Sequence, residues 1–426
     1  MPGVPRAFAP LRHRGFRLLA AGQLTSNVGD AFYAVALPWY VLADHGGALL
    51  LGAVLAAYGI PRAAFVTLGG HAADRWRPWT VMMAADAVRV IAIGALAVVA
   101  LRGPAHAALL VPVAAVLGAG EGMFLPGSFS IVPSLLSDGD LQAGNALTSG
   151  GTQLATLVGP AIGGAVVALV GASLAFGVDA VTFAVSVATL AGVRSVQRGP
   201  VPPPALPALP EPPEAPPEQP PEAPEPTLRR LVASERVLQM ILLLTVAANL
   251  GSGGMGEVAL PALAHGPFHA GATGYGALIA GLGGGALCGT LVAAQARRAR
   301  RPAVVASLAF LAAAACLSAV PYLGGAVAAG VALGGFGAWS GFANVLTLTA
   351  FQRWAPPSLL GRLMGVVMIG SFGIFPVSVL LGGVVVHDVG PAPFFPLTAG
   401  ILAAAVLGGL TQKSWRTFGM TAVAGE

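Results

Sequence analysis

The sequence predicts an all-α membrane protein with 12 transmembrane helices arranged in two pseudo-symmetric six-helix bundles. Three observations favour this class: the composition, the spacing of apolar runs and the distribution of arginine. Of the 426 residues, 56% are hydrophobic and 9% charged. A soluble domain carries about 25% charged residues, so this chain could not cover its surface in water. An ordinary cytosolic enzyme, a nucleic-acid-binding protein and a disordered chain are therefore excluded.

Twelve apolar runs are each long enough to cross a bilayer, which requires about 20 such residues in a helix. The runs are too long for membrane-spanning β-strands and do not alternate apolar with polar residues, so a β-barrel is excluded. Glycine and proline within them are tolerated in transmembrane helices. The runs lie at residues 16–43, 48–70, 79–101, 105–128, 144–169, 171–192, 237–263, 271–295, 302–322, 324–350, 361–386 and 392–412.

The basic residues predict the orientation of these helices. Of the 22 arginines and lysines, 19 fall in segments that alternate onto one side, together with both termini. Arg102 alone falls on the other side, and Arg62 and Arg89 lie inside spans. Basic loops face the cytoplasm, so both termini are predicted to be cytoplasmic. The preference for arginine over lysine and the lack of a recognisable cleavable signal peptide favour the bacterial inner membrane.

A proline-rich segment divides the chain into residues 1–195, a linker at 196–235, and residues 236–426. Residues 199–227 contain 14 of the 35 prolines and five glutamates. Proline at this density favours an extended chain, which predicts a cytoplasmic spacer between the two bundles. A docking role for its proline motifs is the alternative.

The two halves carry matching sequence features. Val35–Pro38 (VALP) recurs as Val258–Pro261 at the same place in the first span of each half. A basic loop follows after a similar interval in both halves. Six spans per half is an even number, so the halves must be parallel repeats, an architecture found in transporters that rock around a site at mid-membrane.

The loop after the second span combines glycines with charges. Gly69–Arg77 reads GGHAADRWR, in which Gly70 permits close packing and Asp74, Arg75 and Arg77 can form ion pairs across the cytoplasmic seam. Such pairs would hold one conformation closed and break when it opens. The stretch resembles the loop signature of the major facilitator superfamily, although Pro78 and Trp79 replace its further basic pair. The resemblance implies a cytoplasmic gate here, and the Asp86–Arg89 pair of the third span is predicted to support it.

The fifth span resembles the antiporter motif of drug-exporting members of that superfamily. It carries Gly159-Pro160 and Gly163-Gly164, which allow a kink and close approach of a neighbouring helix. Asp30 and Pro38 in the first span are similar to a motif of multidrug exporters. The resemblance implies export, and it extends to the branch that contains macrolide-efflux and siderophore-export proteins.

Ionisable residues inside spans are functional candidates because their burial in lipid is costly. Asp30, Glu121 and Glu257 are the preferred proton-coupling and substrate-binding residues, since a lone carboxylate in a low dielectric tends to hold a proton. Asp179 and Arg62 are further candidates, and Arg62 could pair with Asp30 or Glu121. The remaining candidates are predicted to line the cavity: Asn27, Tyr33, Phe124, Asn249 and Asn344.

These features predict a secondary active transporter, a proton-coupled antiporter that exports hydrophobic or cationic small molecules by alternating access. Its partners would be a small-molecule substrate, protons and the lipid bilayer, with no nucleic acid, and the protein would be monomeric. No enzyme activity, cofactor or metal site is predicted, because the sequence has no phosphate-binding loop and no metal-ligand pattern. The alternatives are a siderophore or metabolite exporter, a nutrient importer and a non-transporting membrane scaffold.

Overall fold

The computed structural model describes residues 6–43, 46–103, 106–196, 234–295, 301–355 and 360–419. The proline-rich linker therefore lies outside the described residues, apart from its two ends. Helices account for nearly all of the described chain. The prediction of an all-helical membrane fold is confirmed.

The first half forms six long helices after a short 3-10 segment at Arg6–Arg12. Arg12 and His13 contact the Asp140 carboxylate at 3.3 and 3.1 Å, which ties this segment to the start of the fifth helix. The hydrogen bond with His13, aided by Arg12, lowers the pKa of Asp140 from its ordinary value. The helices are α1 (Arg14–Ala43), α2 (Gly47–Arg75), α3 (Pro78–Arg102), α4 (Ala107–Leu135), α5 (Asp138–Val170) and α6 (Ala172–Val196).

The second half repeats this arrangement. Its last long helix is followed by a short one, α13 (Lys413–Arg416), where the indole of Trp415 donates a hydrogen bond to Ser307 at 3.0 Å. The six long helices are α7 (Arg236–His265), α8 (Gly271–Gln295), α9 (Pro302–Ala319), α10 (Ala326–Trp354), α11 (Leu360–Asp388) and α12 (Phe394–Thr411).

The same helix pairs are in contact in both halves. In the first half α2 packs on α4, α1 on α5 and α6, and α3 on α4 and α6. In the second half α8 packs on α10, α7 on α11 and α12, and α9 on α10 and α12. This correspondence confirms two matched six-helix bundles.

Helix α1 is the least apolar of the twelve spans. Among the described residues, 11 helices are long and apolar enough to cross a membrane by composition alone, and α1 is the one that falls short. Its 30 residues are ample for a span. Its polar residues Gln23, Ser26, Asn27 and Asp30 face a cavity rather than lipid, which explains how a helix of this polarity can span the membrane.

Two helix boundaries differ most from the sequence prediction. Helix α4 continues to Leu135 beyond the predicted end near residue 128, and α5 begins at Asp138, before the predicted residue 144. Proline at three positions within α4 frees backbone carbonyls. The freed carbonyls lie four residues before each proline, and the helix continues through them, as transmembrane helices tolerate. The Ser128 and Ser134 hydroxyls donate hydrogen bonds to other carbonyls, those of Leu125 and Ile131, at 2.7 and 2.6 Å.

The segment around Glu257 is helical in spite of its glycines. Residues Met255–Ala259 form a π-helical turn inside α7. Pro261 lacks an amide hydrogen and its ring crowds the carbonyl four residues earlier. A single π turn accommodates this defect without breaking the helix.

The two halves touch each other near one end of the bundle. We call the end that carries both termini the terminal face, and the opposite end the far face. Helix α2 crosses α11 where Gly52 meets Gly383, and α5 crosses α8 where Gly164 meets Gly276. Gly52 and Gly276 are each the sixth residue of their helix, so the two crossings are pseudo-symmetric. Both lie toward the far face.

Candidate functional site

A cavity of about 780 Å³ lies in the first half, between α1, α4 and α5. Gln23, Asn27 and Asp30 of α1 are spaced by four and three residues, which places them on one face of the helix. The Asn27 amide donates a hydrogen bond to the Thr152 hydroxyl of α5 at 3.0 Å. Asp30 faces the cavity and forms no ion pair within 4 Å in the described part of the chain. The predicted cavity residues Asn27 and Phe124 both line this space.

Glu121 of α4 is held by two guanidinium groups. An Arg62 nitrogen lies 2.9 Å from one carboxylate oxygen, and an Arg89 nitrogen lies 3.8 Å from the other. Of the two partners proposed for Arg62 from the sequence, the structure therefore selects Glu121 for the direct ion pair.

The Asp86–Arg89 pair forms as the sequence spacing suggested. The two charged groups are 3.5 Å apart on α3, and Asp86 also accepts a hydrogen bond from the Ser186 hydroxyl of α6 at 2.6 Å. The guanidinium of Arg89 lies over the rings of Phe124 and Phe183, with 5.4 and 5.1 Å to their centroids. Arg89 thus lines the cavity and connects it to α6.

Asp179 is fully buried between α6 and α1. One carboxylate oxygen accepts a hydrogen bond from Thr182 at 3.3 Å, and the other is buried without a hydrogen-bond partner in the described part of the chain. Gly29 of α1 leaves the room for this side chain, because a Cβ there would collide with Asp179 and Thr182. Tyr33, which was expected in the main cavity, borders a void of about 30 Å³ behind it, together with Asp30 and Asp179.

Arg62 lies at the seam between the halves. Its guanidinium is 4.9 Å from the centroid of the Phe372 ring of α11 and 5.9 Å from that of Tyr58. Glu257 of α7 attracts Arg62 electrostatically from the second half. Beside Glu257, the Tyr275 hydroxyl donates a hydrogen bond to the Gly256 carbonyl at 3.4 Å. Arg62 thus contacts both halves, through Glu121 in its own half and the Phe372 ring in the other.

A second cavity, of about 400 Å³, lies in the second half between α7, α10 and α11. Asn249 and Asn344, both predicted from the sequence, line it. The sequence reasoning missed the hydroxyls that accompany them. Together with the two asparagines, these hydroxyls follow the helical spacing i, i+4, i+7, and that spacing could have identified them in the sequence. The two sets are Thr245, Asn249 and Ser252 on α7, and Ser340, Asn344 and Thr347 on α10.

The loop residues assigned to a cytoplasmic gate are only partly described. Gly69, not Gly70, makes the close helix contact, since a Cβ on Gly69 would lie 2.8 Å from the backbone of Met123, whereas Gly70 has open space around it. Arg75 and Arg77 are exposed. The backbone of Asp74 lies in the last turn of α2, and its side chain lies outside the described residues.

The glycine–proline motif of α5 contacts both halves. Gly159 and Gly163 face Ala31 and Phe32 of α1. One residue further along, Gly164 faces α8, where an added Cβ would lie 2.5 Å from the carbonyl oxygen of Ala272, and Pro160 meets Gly276. The motif therefore packs α5 against its own bundle and against the other one at the far face.

A model of the family described as "Transmembrane secretion effector", within the major facilitator superfamily, matches residues 5–414. The chain belongs to this family. It is a multi-pass membrane transporter, and the prediction that it is not an enzyme is confirmed by its membership.

Several relatives are mycobacterial. The chain is 31% identical over 183 residues to the "Multidrug efflux pump Tap" of Mycobacterium tuberculosis and of Mycobacterium bovis, and the match covers 42% of this chain and 43% of the pump. The pump of the same name from Mycolicibacterium fortuitum is 27% identical over 183 residues, covering 42% of this chain and 44% of the pump. The matched segment thus spans less than half of these relatives.

Solved structures share the fold along most of the chain. A POT family transporter in complex with 5-aminolevulinic acid gives a TM-score of 0.69 at 12% identity, covering 93% of this chain and 96% of that one. A bacterial homologue of the iron transporter ferroportin gives 0.66 at 16% identity, covering 95% and 98%. The nucleoside transporter NupG gives 0.64 at 13% identity, covering 94% and 100%. At these identities the likeness concerns the fold alone.

Proposed function

We propose that this protein is a proton-coupled antiporter that exports hydrophobic cationic small molecules. The observation that carries the proposal is an excess of acid at membrane depth. In the described helices, five carboxylates and two guanidiniums lie more than one turn from a helix end, which is an excess of three acids. The acids are Asp30, Asp86, Glu121, Asp179 and Glu257, and the guanidiniums are those of Arg62 and Arg89.

The excess carboxylates give protons and a cationic cargo a common binding site. At membrane depth, a carboxylate without a cationic partner tends to hold a proton. Asp30 is the acid with the best access, since it faces the larger cavity and has no ion pair within 4 Å among the described residues. A cation that enters the cavity would replace the proton on Asp30, and a returning proton would displace the cation. This exchange is the elementary step of antiport.

The other acids support that step from either side. Glu121 is shared between Arg62 and Arg89, so a change in the charge of Asp30 would be felt by both arginines. Asp179 of α6 and Glu257 of the second half would respond to the same change in the charge of Asp30. Coulomb interactions of this kind are strong in a low dielectric, which supports a coupled network rather than a single titrating group.

The positions of the contacts between the halves support alternating access. The glycine crossings lie toward the far face, whereas both cavities are lined by the parts of α5 and α10 nearer the terminal face. With the terminal face in the cytoplasm of a bacterial cell, as the arginine distribution predicts, cargo would load from inside. When the helices separate at these crossings, the far face would open and release the cargo outside the cell. The similarity to a multidrug efflux pump supports this direction of transport.

The proposal is tested in proteoliposomes that contain the full-length protein and tetraphenylphosphonium as cargo. We expect an imposed pH gradient to drive uptake of the cation against its own gradient, in exchange for protons. Asp30→Asn should lower this uptake by about a hundredfold, within the usual effect of removing a proton-transfer group. Asp388→Asn, at the far end of α11, is the matched control and should transport normally. Uptake that ignores the pH gradient, or normal uptake by Asp30→Asn, would contradict the proposal.

A further inference from the structure

The cavity of the second half differs chemically from that of the first. Its described lining contains hydroxyl, amide, aromatic and aliphatic side chains and no charged ones, whereas Asp30, Glu121 and Arg89 line the cavity of the first half. A charged group in the second cavity would therefore have no counterion among those residues. Its volume of about 400 Å³ falls within the range of small-molecule sites, about 300–1,000 Å³.

Polar side chains face this cavity from two helices. On α10, Ser340, Asn344 and Thr347 lie at intervals of four and three residues, which is one face of the helix. Thr245, Asn249 and Ser252 repeat the same intervals on α7. Two rows of hydrogen-bonding groups thus line one small space. The rings of Phe310 and Phe336 complete the wall.

The hydrogen-bonding capacity of the α10 row is unused. The Thr347 hydroxyl oxygen is buried and has no partner, and the side chains of Ser340 and Asn344 make no hydrogen bond in the described part of the chain. The α7 row is partly used, since the Asn249 amide donates to the Thr245 carbonyl at 2.8 Å and to the Ser371 hydroxyl at 3.4 Å. Unpaired polar groups at membrane depth are unfavourable, and Ser340 and Asn344 are accessible from the cavity, so a hydrogen-bonding group that enters the cavity would find free partners on the α10 row.

We infer that this cavity is a subsite for an uncharged, hydroxyl- or amide-bearing group of the cargo. The inference rests on the proposed transport function and adds a substrate class to it. The cargo is an amphiphile whose cationic group binds the acids of the first half and whose neutral hydrogen-bonding group binds the α10 row. The aromatic walls hold the apolar part of that neutral group. Asn344 offers both a donor and an acceptor, which suits a hydroxyl or an amide.

Equilibrium binding to the purified full-length protein tests the inference with two probes. Chloramphenicol is uncharged and carries hydroxyls and an amide, whereas tetraphenylphosphonium is a cation without hydrogen-bonding groups. We expect Asn344→Leu combined with Thr347→Val to weaken chloramphenicol binding by about tenfold or more, as the loss of two hydrogen-bonding partners predicts. Binding of tetraphenylphosphonium should change by less than about twofold, because no contact to a charge is lost.

Thr290→Val is the matched control, since the hydroxyl of Thr290 already donates to the Ala286 carbonyl at 2.8 Å in α8, and it should bind both probes normally. If the double variant is not monodisperse on size exclusion, Thr347→Val alone, which hardly changes the side-chain volume, carries the test with a loss of about threefold. Equal binding of chloramphenicol by variant and wild type would mean that only water fills the cavity. That result would overturn the inference, as would equal loss of both probes or no chloramphenicol binding by the wild type.

Failure of the transport proposal gives a different pattern. Selective loss of chloramphenicol binding in the variant, together with transport that ignores the pH gradient, would refute proton coupling and keep the subsite. Coupled transport of tetraphenylphosphonium by a variant that still binds chloramphenicol would refute the subsite and keep the transport function.

Discussion

The arginine at the seam shows how one residue can connect two bundles. Arg62 forms an ion pair with Glu121 in its own half, lies over the Phe372 ring of the other half and is attracted by Glu257. Its Nε atom is buried and has no hydrogen-bond partner in the described part of the chain. The residue therefore has unused hydrogen-bonding capacity, which would let it exchange partners when the halves move.

Removing the charge of Glu121 should destabilise the first bundle. Glu121→Gln leaves Arg62 without its carboxylate partner and Arg89 with Asp86 alone. Loss of one partner of a fully buried pair costs about 3–5 kcal/mol. Here the two side chains are 23% and 24% exposed to the cavity, so we expect the free energy of unfolding to fall by about 1–3 kcal/mol. Thermal unfolding in detergent measures the change.

A double-mutant cycle separates the ion pair from other effects of the substitution. Arg62→Gln combined with Glu121→Gln should be less destabilised than the sum of the single variants, because neither charge is then left without the other. Additive losses would show that the two groups do not interact energetically.

At the scale of helices, the sequence was most informative about where each span lies and least informative about how spans pack. The apolar runs predicted the helices because lipid burial depends on local composition. Helix α4 extends to Leu135 in spite of the three prolines within it, and the hydroxyls of Ser128 and Ser134 donate hydrogen bonds to carbonyls three residues earlier. The π turn in α7 lies just before Pro261. Both are local features near proline that a hydropathy pattern does not register.

The glycine crossings predict a steric effect at the element scale. A side chain at position 164 would meet the carbonyl oxygen of Ala272 at 2.5 Å, so Gly164→Val should push α5 away from α8 and open the far face. We expect the rate of transport to fall by about tenfold or more, as when a conformational step is disturbed. Gly177→Val is the control, because Gly177 in α6 has open space at its Cβ.

The opening itself can be measured at the other crossing. Ala48 of α2 is buried, and its carbonyl lies under Gly383 of α11. In a chain with Cys288 and Cys316 replaced by serine, we expect Ala48→Cys to react faster with a membrane-impermeant maleimide when Gly164→Val is present. An unchanged rate would show that the two crossings do not open together.

At the scale of the whole molecule, the even number of spans places both termini at one face, and the arginine distribution predicts which face is cytoplasmic. We expect reporters fused before Met1 and after Glu426 to be active only in the cytoplasm. A reporter inserted in the loop after Arg102 should be active only outside. Either terminus found outside would contradict the predicted orientation and, with it, the direction of cargo loading.

The candidate site could be predicted residue by residue but not as an arrangement. The sequence singled out each intramembrane charge, because any ionisable group in an apolar run stands out. It left open whether Arg62 pairs with Asp30 or Glu121. It also predicted that Tyr33 lines the main cavity, whereas Tyr33 borders the small void behind that cavity. It also missed the hydroxyl row of α10, since single serines and threonines are common in transmembrane helices.

The sequence by itself determined the number, order and repetition of the helices, because a bilayer selects for the local length and polarity of each segment. The tertiary structure alone decided which charges meet, which hydroxyls face one cavity and which glycines form the crossings. Those choices depend on the rotation and crossing of helices far apart in the chain, as with Gly164 and Gly276. Packing between side chains sets that geometry, and hydropathy carries no information about it.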